Sequence, residues 1–118
     1  EVVATMNKFD IGSIVVVQSN RPVGIITERD ILRRIVEPCL APETLTARQV
    51  MSSPVLTINE TASVDEAAKL MAKKNVKKLP VMDKQKLVGM VTVTDIVIKV
   101  PTMLSVLEEI VRPYHRSR

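Results

Sequence analysis

Two short runs carry the side chains best suited to chemistry. Thr27-Glu28-Arg29-Asp30 and Thr92-Val93-Thr94-Asp95 each place a hydroxyl three residues before a carboxylate. An ionised carboxylate accepts hydroxyl donors with charge-assisted strength, so each Asp suits a vicinal diol such as that of a ribose. A helix start supplies N–H donors for a phosphate, and each Thr stands at such a start. Arg29, Lys77 and Lys78 offer positive charge to the same anion. The spacing is also that of a plain helix cap, Thr at the N-cap with an acid three residues on. The two roles are compatible, because capping uses one lone pair of the hydroxyl.

Other chemistry is short of parts. One cysteine, Cys39, excludes an internal disulfide, and one histidine, His115, removes most metal-site and triad chemistry. With no nucleophile–base pair in view, neither an enzyme, a catalytic cofactor nor a bound metal is expected. Among 118 residues there is one Phe, one Tyr and no Trp, so base-stacking platforms are missing. Lys and Arg number 17 against 13 Asp and Glu, a net charge of +4. That balance favours anionic ligands but does not by itself indicate nucleic acid, which the missing aromatics and the absence of a groove-reading motif oppose. No apolar run reaches membrane-spanning length, and Glu1 to Lys8 has neither the basic head nor the apolar stretch of a signal peptide. The expectation is a cytoplasmic chain with no membrane contact. It opens as if inside a helix, so residues before Glu1 are also expected.

The two runs belong to a gapless repeat. Met6 to Ile31 matches Met71 to Ile96 at a constant offset of 65 (92 − 27 and 95 − 30). Each copy reads as helix, strand, turn, strand, helix. In the second copy, Ser63 to Asn75 has helical periodicity behind a Ser63/Glu66 capping-box pattern. Leu79–Met82 and Leu87–Val91 read as strands, and a helix runs from Thr92 to Val100, ended by Pro101. In the first copy these are helix Glu1–Lys8, strands Ile14–Val17 and Val23–Ile26, and helix Glu28–Val36. Met51 to Ile58 is an extended segment before the second copy, its strand core being Ser53 to Ile58. The first copy has no counterpart to it. Thr46 with Gln49 opens a short helix, and Met103 to Val111 is amphipathic. The fold class expected is α/β, two pseudo-twofold-related small βαββα units with a C-terminal helix. The division is a first repeat at 1–36, a linker at 37–48, a second repeat at 49–101, and a C-terminal helix with basic tail at 102–118. Each small sheet is expected to rely on the other copy, so that deleting either unfolds its partner.

Val55 to Ile58, Ala67 to Met71, Leu79 to Asp83 and Gly89 to Asp95, with Ile14 to Val17 and Gly24 to Leu32 in the first copy, make the chain resemble a tandem pair of CBS domains. The first copy departs in having Val15 where the second has Pro80. The resemblance implies a regulatory module that senses AMP, ADP, ATP or S-adenosylmethionine. It implies Asp30 and Asp95 on ribose hydroxyls, with Thr27 and Thr92 near ribose or phosphate. It implies adenine held by backbone at Ile11-Gly12-Ser13 and Val76-Lys77-Lys78, and a pocket wall around Ala62 and Ala67. Arg29, where the second copy has Thr94, would make the first cleft the more selective for phosphate charge. The second cleft, whose wall is complete in this chain, is expected to be the reliable one.

The resemblance also implies a homodimer of stacked pairs. Independently, Ile31-Leu32, Ile35-Val36, Ile96-Val97 and Val100 give the second helices more apolar surface than a small monomer easily covers. Two other readings stand beside the sensor: a nucleic-acid binder using its basic surface, and a ligand-free structural dimerisation module.

Overall fold

A computed structural model describes residues 1–108 and 110. The fold is α/β and divides into two compact units, Glu1–Val55 and Leu56–Arg118.

In the first unit, α1 (Val2–Phe9) leads into β1 (Ser13–Gln18), β2 (Arg21–Thr27) and α2 (Glu28–Ile31). β1 and β2 form an antiparallel hairpin, turned by Ser19 and Asn20 at positive φ of 53° and 66°. Two successive residues at positive φ give the turn whose twist suits paired strands. The second helix does not run uniformly to Val36. After α2 the residues Leu32–Val36 take the wider π-helical form, and the N–H of Glu37 reaches back to Leu32 O at 2.8 Å. α3 (Ala47–Val50) follows, with the full Thr46/Gln49 capping box that its sequence suggests. Ile26, Ile35, Val50 and Met51 form the buried cluster of this unit.

In the second unit, β3 (Ile58–Asn59), α4 (Val64–Lys74), β4 (Lys78–Asp83), β5 (Lys86–Thr92) and α5 (Val93–Lys99) appear in that order. The sheet order is β3-β4-β5, with β3 parallel and β5 antiparallel to β4. Ser63 caps α4 through its hydroxyl, which accepts from Glu66 N at 3.1 Å. Pro101–Met103 is a 3-10 turn, and residues 104–108 and 110 are helical. The rest of the expected C-terminal helix and tail, with His115, lies outside the described residues. Ala67, Ala68, Met71, Leu79, Val93, Ile96, Leu107 and Ile110 make an aliphatic core.

The repeat extends to individual hydrogen bonds. Asp10 and Asn75 end α1 and α4 at φ 53° and 54°. Short polar residues tolerate this left-handed conformation, which bends the chain out of a helix. The next N–H then donates back, Ile11 to Met6 O and Val76 to Met71 O. Ser13 pairs with Thr27 as Lys78 pairs with Thr92, and both hairpins shift register at the same place, Val16/Val17 and Val81/Met82.

The extended stretch before β3 differs from its sequence reading. Only Ile58–Asn59 is strand, while Ser52 bridges to Ile25 and the chain through Val55 belongs to the first unit. This docking depends on Gly24. A Cβ there would lie 2.6 Å from Met51 Cγ and 2.9 Å from Met51 Cβ, whereas at Gly89 it would meet nothing within 4 Å. Gly24→Ala is expected to cost about 1–3 kcal/mol of stability, the scale of overpacking. Gly89→Ala is expected to stay within about 0.5 kcal/mol of the parent. Thermal melts of the two variants give the comparison.

Candidate functional site

Each Thr-x-x-Asp run folds where a strand turns into a helix. Thr27 caps α2 and Thr92 caps α5, each with a reciprocal capping box. The first backbone N–H of each helix donates to the segment before the middle strand. Glu28 N reaches Gly12 O at 3.2 Å, and Val93 N reaches Lys77 O at 2.9 Å. Together with the strand pairs Ser13–Thr27 and Lys78–Thr92, this gathers Gly12, Ser13, Thr27 and Asp30 at one place. It gathers Lys77, Lys78, Thr92 and Asp95 at the other. Ile11 and Val76 lead into these groups from the helix ends.

The two carboxylates then differ. Asp30 is buried, at 8% exposure. Its Oδ2 accepts from Thr27 N at 3.0 Å and Thr27 Oγ1 at 3.1 Å. Its Oδ1 accepts from Ser52 Oγ at 2.8 Å and lies 3.9 Å from Arg34 Nε. Arg34 continues the network, its Nη1 donating to the carbonyls of Val50 and Met51. Sequence reasoning missed Ser52 and Arg34. The i,i+4 spacing of Asp30 and Arg34 was a usable signal, whereas nothing local ties Ser52 to Asp30 across 22 residues.

Asp95 is exposed. Its Oδ2 accepts from Thr92 N at 3.2 Å, and its backbone N–H donates to Thr92 Oγ1 at 3.0 Å. Among the described residues its Oδ1 accepts no hydrogen bond. Asp95 thus has one carboxylate oxygen outside its cap, while Asp30 has both oxygens engaged.

The expected wall residues are placed less favourably. Ala67 is 5% exposed and packs in the core with Val76 and Val93, so it offers a cleft almost no surface. Ala62 lies in the turn after β3, close to where Glu60 N meets Met82 O. That is four residues along β4 from Lys78, about 13 Å at strand spacing. Arg29 is exposed on α2. A separate apolar cavity of about 250 Å³ opens in the first unit between α1 and α2, lined by Val3, Met6, Ile11, Ile31 and Leu32 with Asn7 and Glu28.

No cluster of three or more His, Cys, Asp or Glu residues suited to a metal occurs among the described residues. Among them, no helix is long and apolar enough to cross a membrane.

Comparison with known proteins agrees with this organisation. The CBS domain family model matches residues 1–37 and 47–101. An uncharacterized protein of Methanopyrus kandleri is 39% identical over 119 residues, covering 99% of this chain and 61% of that protein. The CBS domain-containing protein YhcV of Bacillus subtilis is 31% identical over 98 residues, covering 83% of this chain and 69% of that protein. The crystal structure of a conserved CBS domain protein of unknown function from Thermoplasma acidophilum matches with a TM-score of 0.78 at 25% identity. That match covers 93% of this chain and 64% of the other. The chain spans less than two thirds of the Methanopyrus relative's own length. Two matched copies in tandem, each with its own hairpin and capped Thr-x-x-Asp, place this chain in the CBS-domain family, whose members are regulatory or sensor modules.

Proposed function

We propose that the chain is a sensor module whose second repeat binds an adenosine-containing ligand: AMP, ADP, ATP or S-adenosylmethionine. The observation that carries this reading is the exposed Asp95 carboxylate with an oxygen left over after capping. The ribose diol donates to that oxygen, and Thr92 stands beside it. The backbone of Val76-Lys77-Lys78, joined to the helix start through Val93 N and Lys77 O, flanks the base. The first repeat is the weaker site, because a ribose there must displace Ser52 from Asp30. Arg29 then confers its preference for phosphate charge. The chain works without catalytic chemistry, and in the cytoplasm.

Homodimerisation belongs to the same proposal. Leu32 and Val36 in the first unit are 59% and 58% exposed, and Ile98 in the second is 69% exposed. A second copy covers such apolar helix faces.

Calorimetric titration with AMP, ATP and S-adenosylmethionine tests the reading, beside a DNA oligonucleotide at two salt concentrations. Saturable heat from an adenosyl ligand is expected. Binding of the oligonucleotide alone, falling steeply with salt, would replace the sensor by a nucleic-acid binder. Silence from every ligand, with a dimer by light scattering, would leave a structural dimerisation module.

A further inference from the structure

The apolar cavity between α1 and α2 of the first unit has a counterpart in the second, because the repeat carries its lining across at the same offset. Val3, Met6, Ile31 and Leu32 correspond to Ala68, Met71, Ile96 and Val97 (68 − 3, 71 − 6, 96 − 31 and 97 − 32 all give 65). In the second unit that place is filled. Leu107 and Ile110, from the helical residues 104–108 and 110, are buried in one cluster with Ala68, Met71 and Ile96. Val97, Met103 and Val106 pack against the same cluster. In the first unit the place stands open as a hollow of about 250 Å³, with Val3 and Leu32 45% and 59% exposed.

The stretch that would cover the first groove by the repeat is present and goes elsewhere. Residues 39–45 correspond to 104–110 (104 − 65 and 110 − 65). Cys39 turns the backbone at φ 60°, Pro42–Thr44 is a 3-10 turn, and Leu45 packs against the cluster that contains Val50 and Met51. The first groove therefore keeps an uncovered apolar lining. Leu32 and Val36 project along its edge about one turn apart, both more than half exposed.

A hollow and a projecting apolar pair on one face fit a second copy of that face. A two-fold axis seats the Leu32 and Val36 pair of each copy in the hollow of the other, as Leu107 and Ile110 sit in the second unit's groove. The charges agree with an antiparallel crossing. Glu28 lies at the start of the helical run 28–36 and Arg33 toward its end, both exposed. The acid of each copy then comes alongside the base of the other.

We propose that the C-terminal helix caps one of two equivalent association faces, so that copies of this chain join through the α1–α2 groove of the first unit alone and assembly stops at two. A self-complementary face used once closes on itself, whereas two open faces on each chain allow a second contact or further growth. Leu107 and Ile110 stand in for the second copy. The inference rests on the homodimer of the preceding section, narrows it to the first unit, and is independent of any nucleotide.

The test is analytical ultracentrifugation of the full chain at micromolar concentrations, where the parent is expected to be a dimer. Leu32→Asp and Val36→Asp are each expected to weaken it about a hundredfold. Each substitution enters a two-fold contact twice, and each lost anchor costs about tenfold. Ile98→Asp, on the second unit, is expected to leave the dimer unchanged. Circular dichroism separates lost contact from lost folding, since all three residues are exposed. On dilution of isotope-labelled parent, amide shifts are expected at Val3, Met6 and Leu32, with Ala68, Met71 and Ile96 unmoved. A parent that is monomeric throughout would overturn the dimer and this inference together. Four results would overturn this inference and leave the dimer standing: a dimer that survives both Leu32→Asp and Val36→Asp, one broken by Ile98→Asp, dilution shifts at Ala68 and Ile96, or assembly beyond two.

Discussion

Asp95→Ala is expected to remove most of the affinity for an adenosyl ligand while leaving the fold nearly intact, and Asp30→Ala to do the reverse. The exposed Asp95 carboxylate caps Thr92 with one oxygen and has the other open. Losing a hydrogen bond to a charged group costs about 1.5–3 kcal/mol of binding, roughly a 10- to 150-fold drop in affinity. Losing its share of an exposed cap costs about 1 kcal/mol of stability. Asp30 is inside, accepting from Thr27 N, Thr27 Oγ1 and Ser52 Oγ, with Arg34 Nε nearby. Its removal strands donors where water reaches poorly. At about 1–3 kcal/mol for each unsatisfied buried group, a loss of about 2–4 kcal/mol is expected. The half-exposed Arg34 adds little, because solvent screens it. Calorimetry and thermal melts on both variants give the comparison. If Asp95→Ala binds as the parent does while Asp30→Ala loses the ligand, the two sites must be exchanged. If neither substitution touches binding, both carboxylates are helix caps and nothing more.

The contrast between the two Asp residues shows what a repeat makes legible. A constant offset of 65 aligns the copies (92 − 27), and the structure repeats the hairpin registers, their shifts and the left-handed helix ends at that offset. Local rules were enough for these features, since capping, turn residues and alternation act within a few positions. The Thr-x-x-Asp caps were legible for the same reason. What distinguishes the copies is not local. Met51 to Ile58 reads as extended, but an extended run does not say which strand edge it will join. Here Ser52 joins Ile25, and only Ile58–Asn59 pairs with β4. The burial of Asp30 follows from that docking and could not precede it. Ala67 shows the converse: its place on the apolar side of α4 was a core signal, and the core uses it.

Residues 1–55 expressed alone are expected not to fold. The first unit has a two-stranded sheet and a buried cluster of four residues, Ile26, Ile35, Val50 and Met51, besides buried Met6. A lone two-stranded hairpin is marginal in water, and three strands or a packed helix are needed for independent stability. α1 and α2 are of 8 and 4 residues, too short to be helical without tertiary support. Fully burying an aliphatic side chain contributes about 1.5–3 kcal/mol. Ordering each residue's backbone costs about 1–2 kcal/mol. So few buried side chains leave a domain of this size with little margin. The second unit has twice the buried cluster and a third strand, so it is expected to hold the slowest-exchanging amides, those of Met71, Leu79 and Ile96. Circular dichroism of the 1–55 fragment should show no cooperative melt under conditions where the full chain gives one. A sharp, concentration-independent transition in that fragment would mean that the Asp30–Ser52–Arg34 network and the Met51–Gly24 contact suffice to fold the first unit alone.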